Sequence, residues 1–241
     1  MTVAAQPVPS APDRLDQDSL EAALRAADPR VMLAPAWLMT AVISRELDLM
    51  PTGLRVPDEA LFVLPRAAFL RFIDDHQLPA PHNLPPPAPP GVPDDLVMLA
   101  RPDESSLDDD PPGVALSRHW RLLVRAVAEE RARRAVAGDL RRGEAADADP
   151  AVRRALDARI DRIGPAAFNE ARQVLFREHR IGADAGDLDV YAKFAAAFLD
   201  LRSFTPAVLE HVAPASAEAA GLAAVFEADV GAALVASLRP P

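Results

Sequence analysis

Eight of the sixteen residues in LPAPHNLPPPAPPGVP, residues 78–93, are proline. Each proline fixes φ and removes a backbone donor, so this run cannot be helical and is a poor central strand. Polyproline II is its natural state. A brief apolar island, LVMLA (96–100), follows, and then an acidic, turn-rich stretch, PDESSLDDDPPG (102–113). Residues 78–113 therefore read as a linker, and the helical parts of the chain must fold on either side of it.

Before the linker, residues 1–17 are rich in Pro and Ala and read as a disordered tail. Residues 18–77 read as a small helical module. Leu20, Ala23, Leu24 and Ala27 mark one short helix closed by Pro29. Trp37, Leu38, Ala41, Val42, Arg45 and Leu49 mark a second, opened by Pro35 and stopped by Pro51-Thr52-Gly53. The segment 54–65 is open between a strand and a helical turn, and Pro65 restarts a helix through Phe69, Phe72, Ile73 and His76.

After the linker, residues 114–241 read as a multi-helix bundle. Leu116, Trp120, Leu123 and Val127 form one apolar stripe on a helix reaching about Gly143. Val152, Leu156, Ile160 and Ile163 form the next, and Gly164-Pro165 restarts the chain. Leu188, Tyr191, Phe194, Ala195, Phe198 and Leu201 cover more than half of a helix that Asp187 is placed to cap. Such a helix belongs at the centre of its bundle, with Trp120 packed on its Phe194/Phe198 face. Thr205-Pro206 opens a short helix, and Ser216 is placed to cap a last one. The expected fold is all-α: a small N-terminal helical module, a Pro-rich linker and a C-terminal bundle.

At 241 residues the chain has room for one or two domains. The absence of cysteine excludes disulfides, thiolate metal sites and a Cys nucleophile. The N-terminal MTVAAQPVPSAPD lacks the basic and apolar regions of a signal peptide. The longest uncharged stretch, Val31 to Ser44, has 14 residues with Pro35 inside it, fewer than the ~18–20 a membrane span needs. The expectation is a cytoplasmic protein that does not enter a membrane.

The stretches RIGPAAFNEARQVLFREHRI and DLDVYAKFAAAFLDLRSFTPAVLEHVAPA resemble a segment of a family of large, mostly helical, uncharacterised bacterial proteins. The earlier VMLAPAWLMTAVISRELDLMPTGLRVPDEALFVLPRAAFLRFIDDHQL is similar to their N-terminal region. The resemblance covers roughly residues 30–75 and 114–214 and rests on apolar pattern. It implies a mostly helical bacterial protein, short or part of a longer one, and carries over no functional residue.

Motifs for catalysis, metals and cofactors do not emerge. His76, His82, His119, His179 and His211 include no pair three or four residues apart. Asp184, Asp187 and Asp189 miss the spacing of a calcium loop, and Asp108-Asp109-Asp110 reads as a solvated acidic turn. Neither phosphate-binding glycine motif nor a nucleophile elbow occurs. The pairs Pro86/Pro89, Pro87/Pro90 and Pro90/Pro93 have the spacing that fills an aromatic groove, but a plain spacer accounts for them.

Charge is the sharpest feature. The chain has 36 acidic and 26 basic side chains, of which 25 are Arg and one is Lys193. Residues 118–162 hold 12 Arg and 8 acids, whereas residues 1–117 carry a net −10. Arg118, Arg121 and Arg125 fall together on one helical face, opposite Trp120. Three guanidiniums so close call for acidic groups on another element, on the acidic N-terminal half or on a partner. The expected function is a non-enzymatic interaction, scaffold or regulatory subunit of a bacterial assembly, with a protein partner met by these arginines. A nucleic-acid-binding helix over 118–142 is the first alternative. An enzyme with a site assembled from scattered residues is the second.

Overall fold

The computed structural model describes residues 15–46, 61–89, 94–109, 111–138, 149–214, 216 and 221–231. The expectations for residues 1–14 and for the 54–60 part of the ambiguous segment lie outside them. The chain is dominated by helices, but it also holds a three-stranded mixed sheet, which corrects the all-α expectation.

The order from the N-terminus is α1 (Gln17–Ala27), β1 (Val31–Ala34), α2 (Ala36–Glu46), β2 (Leu61–Pro65), α3 (Arg66–Asp75), β3 (Asp95–Ala100) and α4 (Glu104–Asp109). Asp16 caps α1 by accepting from the Ser19 N–H at 2.7 Å. Strand β3 is central: it runs parallel to β1, with Val31 opposite Val97, and antiparallel to β2, with Leu61 opposite Leu99. The island LVMLA, set within the expected linker, is therefore the middle of the sheet.

Alternate residues of the sheet serve two different cores. Val31, Leu33, Leu61, Val97 and Leu99 face α1 and a long later helix. Met32, Ala34, Leu64, Leu96 and Met98 face α2 and α3. A strand covered on both faces reads as a short, continuous apolar run without alternation. That is why β1 and β3 escape a periodicity argument.

The proline run is anchored in place. Arg66, 6% exposed, donates through Nη2 to the Pro85 and Pro86 carbonyls, each at 2.6 Å, and through Nε to Asp94 at 2.9 Å. Asn83 donates to both carboxylate oxygens of Glu21 on α1, at 3.1 and 2.9 Å, and to the Leu33 carbonyl at 2.9 Å. Residues 84–89 have no helix or strand, in keeping with their proline content. They are nonetheless pinned to α3 through Arg66, and Asn83 just before them to α1 and β1, which corrects the plain-spacer reading; Pro90 and Pro93 lie outside the described residues.

The rest of the chain forms α5 (Pro112–Ala137), α6 (Pro150–Ile163), α7 (Pro165–Arg177), α8 (Asp187–Phe204), α9 (Pro206–Val212) and α10 (Leu222–Val230). Prolines Pro112, Pro150, Pro165 and Pro206 each open a helix, where the missing N–H costs nothing. Helix α5 ends at Gly138, φ +62°, a left-handed conformation suited to glycine, rather than near Gly143. Gly186 precedes α8 as its N-cap, so Asp187 is the first helical residue instead. Ser216 is buried, and its N–H and hydroxyl donate to Glu170 at 3.1 and 3.2 Å.

Helix α8 is central among the C-terminal helices, as its all-round apolar sequence predicts. Tyr191, Phe194 and Phe198 meet Phe226 of α10 with ring centroids 5.1–5.6 Å apart. Helix α5 joins the two halves. Its Ala128, Ala132 and Val136 pack with the α8 core, whereas Trp120, Leu123 and Val127 pack with Val31, Leu33, Val97 and Leu99. Trp120 thus belongs to the sheet's core and not to the Phe194/Phe198 cluster expected for it. The sheet, unseen in the sequence, takes that stripe.

An ion chain crosses the same junction. Arg30 donates to Asp28 at 3.0 and 2.8 Å and to Glu130 of α5 at 2.9 Å. Glu130 accepts from Arg134, which reaches Asp95 of β3 at 2.7 Å. Burial opposes the charge of Arg30, but hydrogen bonds to Asp28 and the Glu130 carboxylate outweigh it and raise its pKa. Charges that bridge the halves therefore include Arg30, Glu130, Arg134 and Asp95.

Candidate functional site

Arg118, Arg121 and Arg125 line one wall of a groove of about 670 Å³. Helix α5 forms that wall, α8 the floor, and α7 and α9 the far side. Phe194, Phe198 and Leu201 of α8 give the floor its apolar surface. Val174 and Leu175 of α7 and Leu209 and Val212 of α9 continue it. Val114 and Val208 stand at the lip, 48% and 44% exposed.

The three arginines occupy different settings along α5. Arg118 is exposed, and Arg121 and Arg125 are half-buried. Arg121 makes a two-point ion pair with Asp200 of α8, Nε to Oδ1 at 2.8 Å and Nη2 to Oδ2 at 3.0 Å. Its guanidinium also lies 5.7 Å from the centroid of the Phe204 ring. The hydrogen bond to Asp200 raises the Arg121 pKa, partial burial opposes it, and the Asp200 charge adds to the rise. Of the acidic groups the stripe calls for, on another element, the N-terminal half or a partner, the one that answers Arg121 is on the C-terminal bundle.

Asp200 was not singled out from the sequence, although a signal existed. It is a carboxylate, 3% exposed, near the end of a helix that is otherwise apolar on most sides. A charge so placed needs a cation on a neighbouring element. Arg180, beyond the end of α7, also lines the groove and pairs with Glu178 at 3.2 Å.

The other sequence candidates do not converge. The His76 Nδ1 bonds the Phe72 carbonyl at 2.8 Å, and the ring stacks on Phe72. His179 lies past the end of α7, two residues beyond Arg177, with φ +57°. His119 is buried on α5 with Nδ1 2.9 Å from the Ala115 carbonyl. Asp187 pairs with Arg172, and Asp189 with Arg133 at 2.6 Å. Among the described residues, no group of three or more His, Cys, Asp or Glu side chains is disposed to hold a metal ion. Among them, too, no helix is long and apolar enough to cross a membrane. No protein-family model, curated protein or solved structure matches this chain.

Proposed function

We propose that this protein is a docking module that binds a protein partner in the groove between α5, α7, α8 and α9. The observation that carries the reading is the composition of that groove. An apolar floor, solvent-exposed valines at the lip and a wall of arginines lie together on one concave surface. Buried apolar anchors ringed by arginine are what protein interfaces use for affinity. A nucleic-acid site places its cations along a surface that tracks phosphates. Here Asp200 and Glu178 sit among the arginines and the floor is aliphatic and aromatic, which supports the protein reading over the nucleic-acid one.

The test is site-directed photocrosslinking of the full chain in its native host. A photoreactive residue at Val208 should give a discrete crosslinked protein. The same residue at exposed Arg162 on α6, away from the groove, should not. Equal crosslinking from both positions, or none from Val208, overturns the proposal.

A further inference from the structure

We propose that the proline run is itself a docking ridge, for a partner domain whose binding groove is lined by aromatic side chains. The proposal goes beyond the groove reading above and uses a different segment of the chain.

Burial along the run follows a period of three. Pro85 is buried and Ala88 half-buried, whereas Pro86, Pro87 and Pro89 are exposed. Three residues per turn is the repeat of polyproline II. Covalent chemistry favours the same form. Proline fixes φ at four of the five positions 85–89, and Leu84, Pro85, Pro86 and Ala88 each precede a proline, which drives them out of the helical region. One ridge of the left-handed helix, Pro85 and Ala88, therefore faces the protein. Pro86 and Pro89 lie one turn apart, about 9 Å, on a second ridge, with Pro87 on the third. Both of these ridges meet water.

The polar groups of the run are engaged within the chain. Arg66 takes the Pro85 and Pro86 carbonyls, and the Ala88 N–H donates to Asp94 Oδ1 at 3.0 Å. Ala88 carries the one backbone N–H among residues 85–89, so the segment has no donor left with which to extend a partner's sheet. What it offers is a row of pyrrolidine rings, and aromatic-lined grooves grip rings at the Pro86/Pro89 spacing.

Preorganisation adds to this. A free proline peptide must still be positioned when it binds, whereas this one is held by a buried guanidinium and by Asp94, so docking immobilises little more. The Asp94 side chain, 43% exposed, stands beside the ridge. Its charge opposes a partner groove with an acidic rim and favours one that is neutral or basic.

The test is photocrosslinking of the full chain in a lysate of its native host, from a photoreactive residue at Pro87. Decaproline of L-residues should lower the yield of the crosslinked protein at least ~5-fold, and decaproline of D-residues, of opposite hand, should not. Fragment masses should place the crosslink on a partner segment bearing Trp or Tyr. Pro86→Ala with Pro89→Ala, both at exposed positions, should lower the yield by a similar factor. The competition on the wild-type chain decides the matter should that variant fail to fold. Val208→Asp should leave the yield unchanged.

No crosslinked protein from position 87 overturns the proposal, as does equal competition by the two peptides. A yield indifferent to the folded double variant, or a partner segment without aromatic residues, also overturns it. Loss of the crosslink with Val208→Asp would assign the contact to the groove between α5, α7, α8 and α9 and overturn the proposal while leaving the groove reading in place.

Discussion

The hydroxyl of Tyr191 on α8 donates to Oδ2 of Asp229 on α10 at 2.6 Å, with the tyrosine fully enclosed. The same carboxylate is held by Arg159 of α6 at 2.6 and 3.0 Å, so three helices meet on one acid. Tyr191→Phe keeps the ring and removes a hydrogen bond to a charged acceptor. The expected loss is about 1.5–3 kcal/mol in a denaturant melt, with the guanidinium still holding Asp229.

Tyr191 is also the only tyrosine of the chain, which makes its ionisation readable without assignment. Burial raises its pKa most, and the hydrogen bond to Asp229 and the Asp229 charge raise it further. In the unfolded chain the phenol titrates near the ordinary value of 10.0. The stability it contributes is therefore full below that pH and is lost as pH rises above it. An alkaline titration should show no phenolate absorbance until the helical circular dichroism signal collapses. Phenolate appearing while the signal is intact would contradict the enclosure.

His119 gives the opposite edge. Burial lowers its pKa below 6.5, carbonyl bonds from Ala115 and Ala100 oppose this, and the Arg118 charge lowers it further. A histidine kept neutral in the fold contributes stability that is present above its unfolded pKa and is lost as pH falls through the folded one. Wild type should lose more stability than His119→Gln on going from about pH 7.5 to about pH 5.5. Parallel losses in the two proteins would show that the imidazole is not the titrating group.

The Arg121–Asp200 pair should respond asymmetrically. Arg121→Ala strands a buried carboxylate and should cost about 3 kcal/mol. Asp200→Ala leaves an arginine whose side chain is 32% exposed and can turn to water, so it should cost less. Thermal or denaturant midpoints of the two variants decide the order.

Arg66 should govern access to the proline run. In wild type the 84–89 segment should resist limited proteolysis, since its carbonyls and Asp94 are held by one buried guanidinium. Arg66→Ala should expose it and accelerate cleavage there several-fold, to be seen by mass analysis of the fragments. Rapid cutting of the wild-type segment would restore the linker reading.

Much of the helical architecture was legible, because apolar stripes and N1 prolines are local signals. Gly164-Pro165, Thr205-Pro206 and the apolar α8 all function as their sequence predicts. The sheet was not legible for a physical reason: VMLA and LVMLA are each too short to show a period and too apolar to alternate. Arg118, Arg121 and Arg125, marked in the sequence as one helical face, line the wall of a groove. Its concavity was not visible, because it depends on Phe198, Val208 and Asp200, distant in sequence and brought beneath those arginines only by tertiary packing.

The central position of β3 has a consequence for the order of folding. Among the described residues, strands β1 and β2 each pair with β3 and not with each other, and the partners Val31 and Val97 are separated by 66 positions in the chain. During synthesis, both edge strands must wait with their pairing groups open until residue 100 has left the ribosome. Closing so long a loop before any ladder forms is slow, and open strand edges invite wrong partners in the meantime. Pro85, Pro86, Pro87 and Pro89, ahead of β3, have a fixed φ, which limits the conformations their stretch of chain can search, and they lack the N–H a ladder needs. That restriction shortens the search by which β3 finds the gap between two waiting edges.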